Sequence, residues 1–122
     1  MDVDEVRESI SEHGGRYLSR VFTERELSDC RRGDGFDPAR LAARFAAKEA
    51  ALKSLGVGDN AVSWKDVEVE RDQTGAVSLS LHNRAFKLAE ASRVNGLAVS
   101  LTHERGIAGA VVVAEISQAV DT

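Results

Sequence analysis

Three observations predict an α+β fold in which a mainly antiparallel sheet packs against one long central helix. The first half of the chain carries helical periodicity with start and stop signals. The second half contains two pairs of alternating apolar and polar runs around short turns, VEVE with VSLSL and LAVSLTH with IAGAVVVAEI. Between the halves lies an uninterrupted helical pattern of about five turns, the natural cover for the sheet. At 122 residues the chain is one domain long, and a domain of that size buries roughly two-thirds of its unfolded surface. A single domain, 1–122, is expected.

Taken in order, Val6, Ile10, Tyr17, Leu18, Val21 and Phe22 mark two helical pieces separated by Gly14-Gly15. Thr23 followed by Glu26 is a capping box, and Phe22 with Leu27 has the spacing of a hydrophobic staple, so a short helix is expected over Glu24–Cys30. RRGDGFD has loop composition. Asp37-Pro38 supplies an N-cap and a proline at the first helical position, and Gly56 supplies the stop, bracketing a helix over Pro38–Leu55. Val67–Glu70 and Val77–Leu81 then form a hairpin around DQTG, Arg84–Ser92 a helix opened by His82 or Asn83, and the last two apolar runs a second hairpin turned at Glu104-Arg105-Gly106. Those last strands are apolar enough to be central.

Composition narrows the function classes. Apolar residues make up 43% and charged residues 30% of the chain, the profile of an ordinary globular protein. The longest apolar run, Ala110 to Ala114, is too short to span a bilayer, and MDVDEVRES lacks the apolar core of a signal peptide, so a cytoplasmic, non-membrane protein is expected. One cysteine, Cys30, excludes an intrachain disulfide and a cysteine-based zinc site, and reads as a passive, half-buried residue. A net charge of −4 argues against general nucleic-acid affinity. Between Arg16 and Lys53, however, basic residues outnumber acidic ones, which describes either a local basic patch or a solvated mixed-charge surface.

The central helix carries the candidate chemistry. At about 100° per residue, Leu41, Phe45, Leu52 and Leu55 fall within a stripe of roughly 80°, the expected buried face. Lys48 falls inside that stripe; Glu49 lies about 40° beyond its edge and Lys53 about 40° further round the same flank. A lysine on a buried stripe needs a partner or an escape to the core edge. One reading is snorkelling, or an ion pair with Glu68 or Glu70, with Glu49 and Lys53 a simple i,i+4 pair. The other is a site where a carboxylate holds a hard cation while lysine and arginine hold phosphate oxygens. Spacing alone leaves both open.

The run Arg44-Phe45-Ala46-Ala47-Lys48-Glu49-Ala50, followed by Lys53 and Gly56, closely resembles the signature of 4′-phosphopantetheinyl transferases of the small holo-acyl-carrier-protein synthase type. RYLSRVFTERE, from Arg16 to Glu26, is similar to the family's first helical region, and VSLTHE, from Val99 to Glu104, to its strand end. The resemblance implies transfer of the phosphopantetheine arm of coenzyme A to a serine of apo acyl carrier protein, with adenosine 3′,5′-bisphosphate leaving and Mg2+ as the cofactor. It assigns Glu49 to the metal and Lys53 to coenzyme A phosphate. Arg44 supports the phosphate region, His103 lines the coenzyme A site, Gly56 and the loop after it admit a nucleotide, and Lys48 orients the site or approaches the transferred phosphate.

It further implies a homotrimer with coenzyme A between protomers, where Arg40, together with Arg31 and Arg32, meets the 3′-phosphate. The acidic carrier protein is met by Arg16, Arg20 and Arg25. A metal-bound water and Glu104 are the candidates for the base. The family's pattern opens with a short strand whose aspartate is the second metal carboxylate. Matching Met1-Asp2-Val3 to the end of that strand places the aspartate about two residues before Met1, so a longer product carrying it is expected, with Asp2 or Asp4 the alternative ligands. Without it, the competing reading is a non-catalytic coenzyme A-binding or carrier-binding homologue.

Overall fold

The computed structural model describes residues 1–56 and 62–117. Helices α1 (Val3–His13) and α2 (Gly15–Val21) are separated at Gly14, whose φ of 52° ends the first. Asp2 caps α1, its Oδ1 accepting from Asp4 N at 2.8 Å. The expected capping box opens α3 (Glu24–Asp29): Glu26 N donates to Thr23 Oγ1 at 3.2 Å and Thr23 N to Glu26 Oε1 at 2.9 Å. Cys30 is the C-cap rather than the last helical residue, and it is fully buried rather than half-buried. The expected loop after it contains a small hairpin, β1 (Arg31–Arg32) with β2 (Gly35–Phe36).

The long helix α4 runs Pro38–Ser54, capped by Asp37 Oδ1, and Gly56 follows it at φ 71°, a left-handed conformation that favours glycine. A 3-10 turn at Trp64–Asp66 leads into β3 (Val67–Arg71), which pairs antiparallel with β4 (Val77–Leu81). After α5 (Asn83–Ala91), β5 (Val94–Glu104) and β6 (Ile107–Ile116) form the longest hairpin. The chain start joins it: Met1 and Ala108 exchange two backbone hydrogen bonds of 2.7 Å, and Val3 N donates to Gly106 O at 2.8 Å.

α4 packs over β5, β6 and β3, and β4 lies against β5. The principal core combines Val3, Val6, Leu18, Val21 and Phe22 from the helices with Leu41, Ala42 and Ala43 of α4 and Ala108 of β6. The buried face of α4 departs from the expected stripe. It consists of Leu41, Ala42, Ala43, Arg44, Ala47, Lys48 and Ala51, with Leu55 buried just beyond the helix, while Phe45 and Leu52 are only partly buried. The alanines let the helix approach the sheet closely, and the bulkier side chains sit at its flanks. This turns the flank bearing Glu49 and Lys53 outward.

Candidate active site

Arg40 and Arg44 leave consecutive turns of α4 on the side facing the end of β5. With Arg71, Gly75 and Val77 of the β3–β4 hairpin, and Leu101, Thr102 and His103 of β5, they line a cleft of about 200 Å³. Arg44 is 4% exposed; its Nη1 donates to Arg40 O at 3.3 Å, while its Nε is buried without a hydrogen-bond partner. A buried, unpartnered N–H on a permanently charged guanidinium favours an anionic ligand. Arg40 is tied more loosely, through Asp29 O at 3.4 Å and Asp37 Oδ2 at 3.8 Å. The structure thus brings together three of the expected residues, Arg40, Arg44 and His103.

Arg71 is the residue that sequence reading missed. It lies 27 positions from Arg44 with no motif around it, and only the hairpin turn brings it to the cleft. Gly75, in the turn between the two strands, has φ 89°, a backbone conformation that favours glycine.

Glu49 and Lys53 lie outside the cleft lining, about 7.5 and 13.5 Å further along the helix axis from Arg44. Lys53 Nζ stands 3.8 Å from Glu49 Oε1, with side chains 77% and 46% exposed, a loose pair that leaves both available to a ligand. Among the described residues no group of three or more His, Cys, Asp or Glu is placed to hold a metal ion. Asp2 is occupied as a helix cap, and Asp4 pairs with Arg7 at 3.1 Å. The loop expected to admit a nucleotide after Gly56 begins at residue 57 and lies outside the described residues.

Lys48, one turn beyond Arg44, points into the core and lines neither group. It is fully buried, and its partner is neither Glu68 nor Glu70 but Glu26 of α3, whose Oε1 is 2.6 Å from Nζ. The ammonium also donates to Trp64 O at 3.0 Å and Val67 O at 2.5 Å. Burial pushes Lys48 below the ordinary lysine pKa, and the Glu26 carboxylate opposes that shift. Glu68 is engaged elsewhere, accepting from Thr23 Oγ1 at 2.6 Å and meeting His82 Nε2 at 3.1 Å. Arg16, Arg20 and Arg25 are all exposed, and Arg25 stands 3.6 Å from Glu70.

Comparison with known proteins identifies the class. The sequence model described as 4'-phosphopantetheinyl transferase superfamily matches residues 1–111, and the chain belongs to that superfamily. Holo-[acyl-carrier-protein] synthase of Moorella thermoacetica is 44% identical over 119 residues, covering 96% of this chain and 90% of its own. That of Solibacter usitatus is 38% identical over 116 residues, covering 93% and 91%. Among solved structures, the ACPS-CoA complex of Chronobacterium ammoniagenes superposes with a TM-score of 0.83 at 27% identity, covering 97% of this chain and 93% of that one. The holo-[acyl-carrier-protein] synthase of Neisseria meningitidis superposes at 0.79 with 28% identity, covering 94% and 92%.

Proposed function

We propose that the chain is a holo-acyl-carrier-protein synthase: it transfers the 4′-phosphopantetheine arm of coenzyme A to a serine of apo acyl carrier protein. The observation that carries this reading is the cationic cleft of Arg40, Arg44, Arg71 and His103, with the unpartnered Arg44 Nε, on the same helix as the exposed Glu49 and Lys53. Coenzyme A presents separated anionic groups, a 3′-phosphate and a pyrophosphate, which suit a helix carrying cationic side chains at two places along its length. The serine oxygen bonds to the β-phosphorus, the bond to the bridging oxygen breaks, and adenosine 3′,5′-bisphosphate departs with the electron pair. The serine proton passes to a base.

Lys53, Arg44 and His103 hold phosphate oxygens and stabilise the charge that develops on them, with Arg40 at the 3′-phosphate. Glu49 would hold the metal: one partly exposed carboxylate suits Mg2+, which takes few protein ligands. When bound, the ion supplies electrostatic stabilisation at the pyrophosphate. Lys48, buried away from the cleft, serves the site by orienting α4. The exposed arginines Arg16, Arg20 and Arg25 form the docking face for the acidic carrier, serving fatty-acid or polyketide synthesis in the cytoplasm.

A homotrimer is supported by β6, where Ile107, Val111, Val113 and Ile116 are 61–65% exposed. The first three share one face of the hairpin with Ala98, Ser100, Thr102 and Glu104 of β5, and exposed large apolar side chains rimmed by polar ones are of the kind that marks a subunit interface. The backbone pairing of Met1 with β6 supports a short strand at the chain start, the place the family's aspartate strand would take.

A second reading, a non-catalytic coenzyme A-binding or carrier-binding homologue, is favoured by one observation. Among the described residues no group of three or more His, Cys, Asp or Glu is placed to hold a metal ion. Incubation with coenzyme A, Mg2+ and apo carrier protein separates the readings: mass spectrometry is expected to show the carrier gaining one phosphopantetheine arm. Binding of coenzyme A with no mass gain would establish the second reading in place of the first.

A further inference from the structure

We propose that Glu26, outside the cleft and on a different helix, is a positioning residue that sets the rotation of α4 and thereby the direction in which Glu49 and Lys53 point. The inference rests on the proposed role of Glu49. The reason lies in how α4 is packed. Much of its buried face is alanine, at 42, 43, 47 and 51, and methyl groups form shallow ridges that resist rotation or sliding weakly. The long side chains on that face are Leu41, Arg44 and Lys48, and of these Lys48 has the most directional anchorage.

Its ammonium is held by the Glu26 carboxylate at 2.6 Å and by two main-chain carbonyls, and lies 5.9 Å from the centre of the buried Phe22 ring. Glu26 is itself immobilised. Oε1 accepts from Thr23 N at 2.9 Å within the capping box, and Oε2 accepts from Val69 N at 2.8 Å on β3. One carboxylate therefore joins the start of α3, the backbone of β3 and the middle of α4. A second contact supports the same orientation: Phe45 packs on Trp64 with ring centres 4.9 Å apart, and Trp64 also supplies one carbonyl to Lys48. Because Lys48 and Glu49 are consecutive, about 100° apart on the helix, anchoring the first fixes the direction of the second.

A buried ion pair is a weak stabiliser compared with apolar packing, and replacing both partners together leaves stability nearly unchanged in many proteins. That separates positioning from mere support. The test is the double variant Glu26→Gln/Lys48→Met, compared with the parent for far-UV circular dichroism, kcat, KM for coenzyme A, and Mn2+ binding followed by electron paramagnetic resonance in the presence of coenzyme A. Positioning predicts a folded protein whose kcat and Mn2+ affinity each fall about 10-fold or more, with KM for coenzyme A raised as well because Lys53 turns with Glu49. A folded double variant with parental kcat and Mn2+ affinity would overturn the proposal.

Should the double variant not fold, Glu26→Asp carries the same comparison, since it keeps the charge while withdrawing the carboxylate by one methylene. Glu49→Gln is measured alongside. If its turnover equals the parent's, the reading of Glu49 fails; if it is inactive while the double variant is fully active, only the positioning role fails.

Discussion

Lys48 and Lys53 leave the same helix five residues apart and meet opposite fates. The first is fully buried among three oxygen acceptors, while the second is 77% exposed beside a carboxylate 3.8 Å away. The same chemical group is structural on one flank and free for a ligand on the other. What distinguishes them is what faces the helix: a buried carboxylate and two carbonyls against Lys48, solvent against Lys53. The signature run of α4 therefore combines an anchored half with an open half.

Four measurements test that contrast, the largest effect first. Glu49→Gln is expected to lower phosphopantetheine transfer by about 100-fold or more, the scale of losing a transition-state stabiliser. Its thermal midpoint should stay near the parent's, and a loss of activity explained by unfolding would erase the distinction. Lys48→Met alone should cost about 3–5 kcal/mol in urea denaturation, because it strands Glu26 as a buried uncompensated charge. Arg44→Gln should raise KM for coenzyme A about 10-fold, the worth of one charge-assisted hydrogen bond, measured by initial rates. Lys53→Gln should change stability by only a few tenths of a kcal/mol, since an exposed i,i+4 pair contributes no more, while still weakening coenzyme A binding.

Cys30 sharpens the buried side of the same comparison. Desolvation raises its thiol from 9.0 to about 11, the nearby Arg44 opposing. The neutral thiol is thus favoured in the fold. Its contribution to stability is complete below pH 9 and is lost as pH rises towards 11. Thiol reagents should leave Cys30 unlabelled in native buffer and label it fully in urea.

Much of this was legible in the chain. The Thr23–Glu26 box, the Asp37-Pro38 start, Gly56 and the two hairpins follow from local chemistry, in which each signal and its partner lie within a few residues. The candidate residues of α4 were also picked out in the sequence, because a signature run is contiguous. The rotation of α4 was misread, since periodicity weighs Phe45 and Leu52 above alanines, whereas close approach to a sheet favours the alanines.

Three things came only from the tertiary structure. The sequence shows Glu26 as a cap and Lys48 as an anomaly on an apolar stripe, but their pairing spans helices that no local rule connects. Arg71 reaches the cleft through a hairpin turn, and the exposed apolar face of β6 emerges only once α4 has covered the opposite face. Local propensity is a property of neighbours along the chain. Which buried charge meets which, and which face of a strand is left uncovered, are properties of neighbours in space.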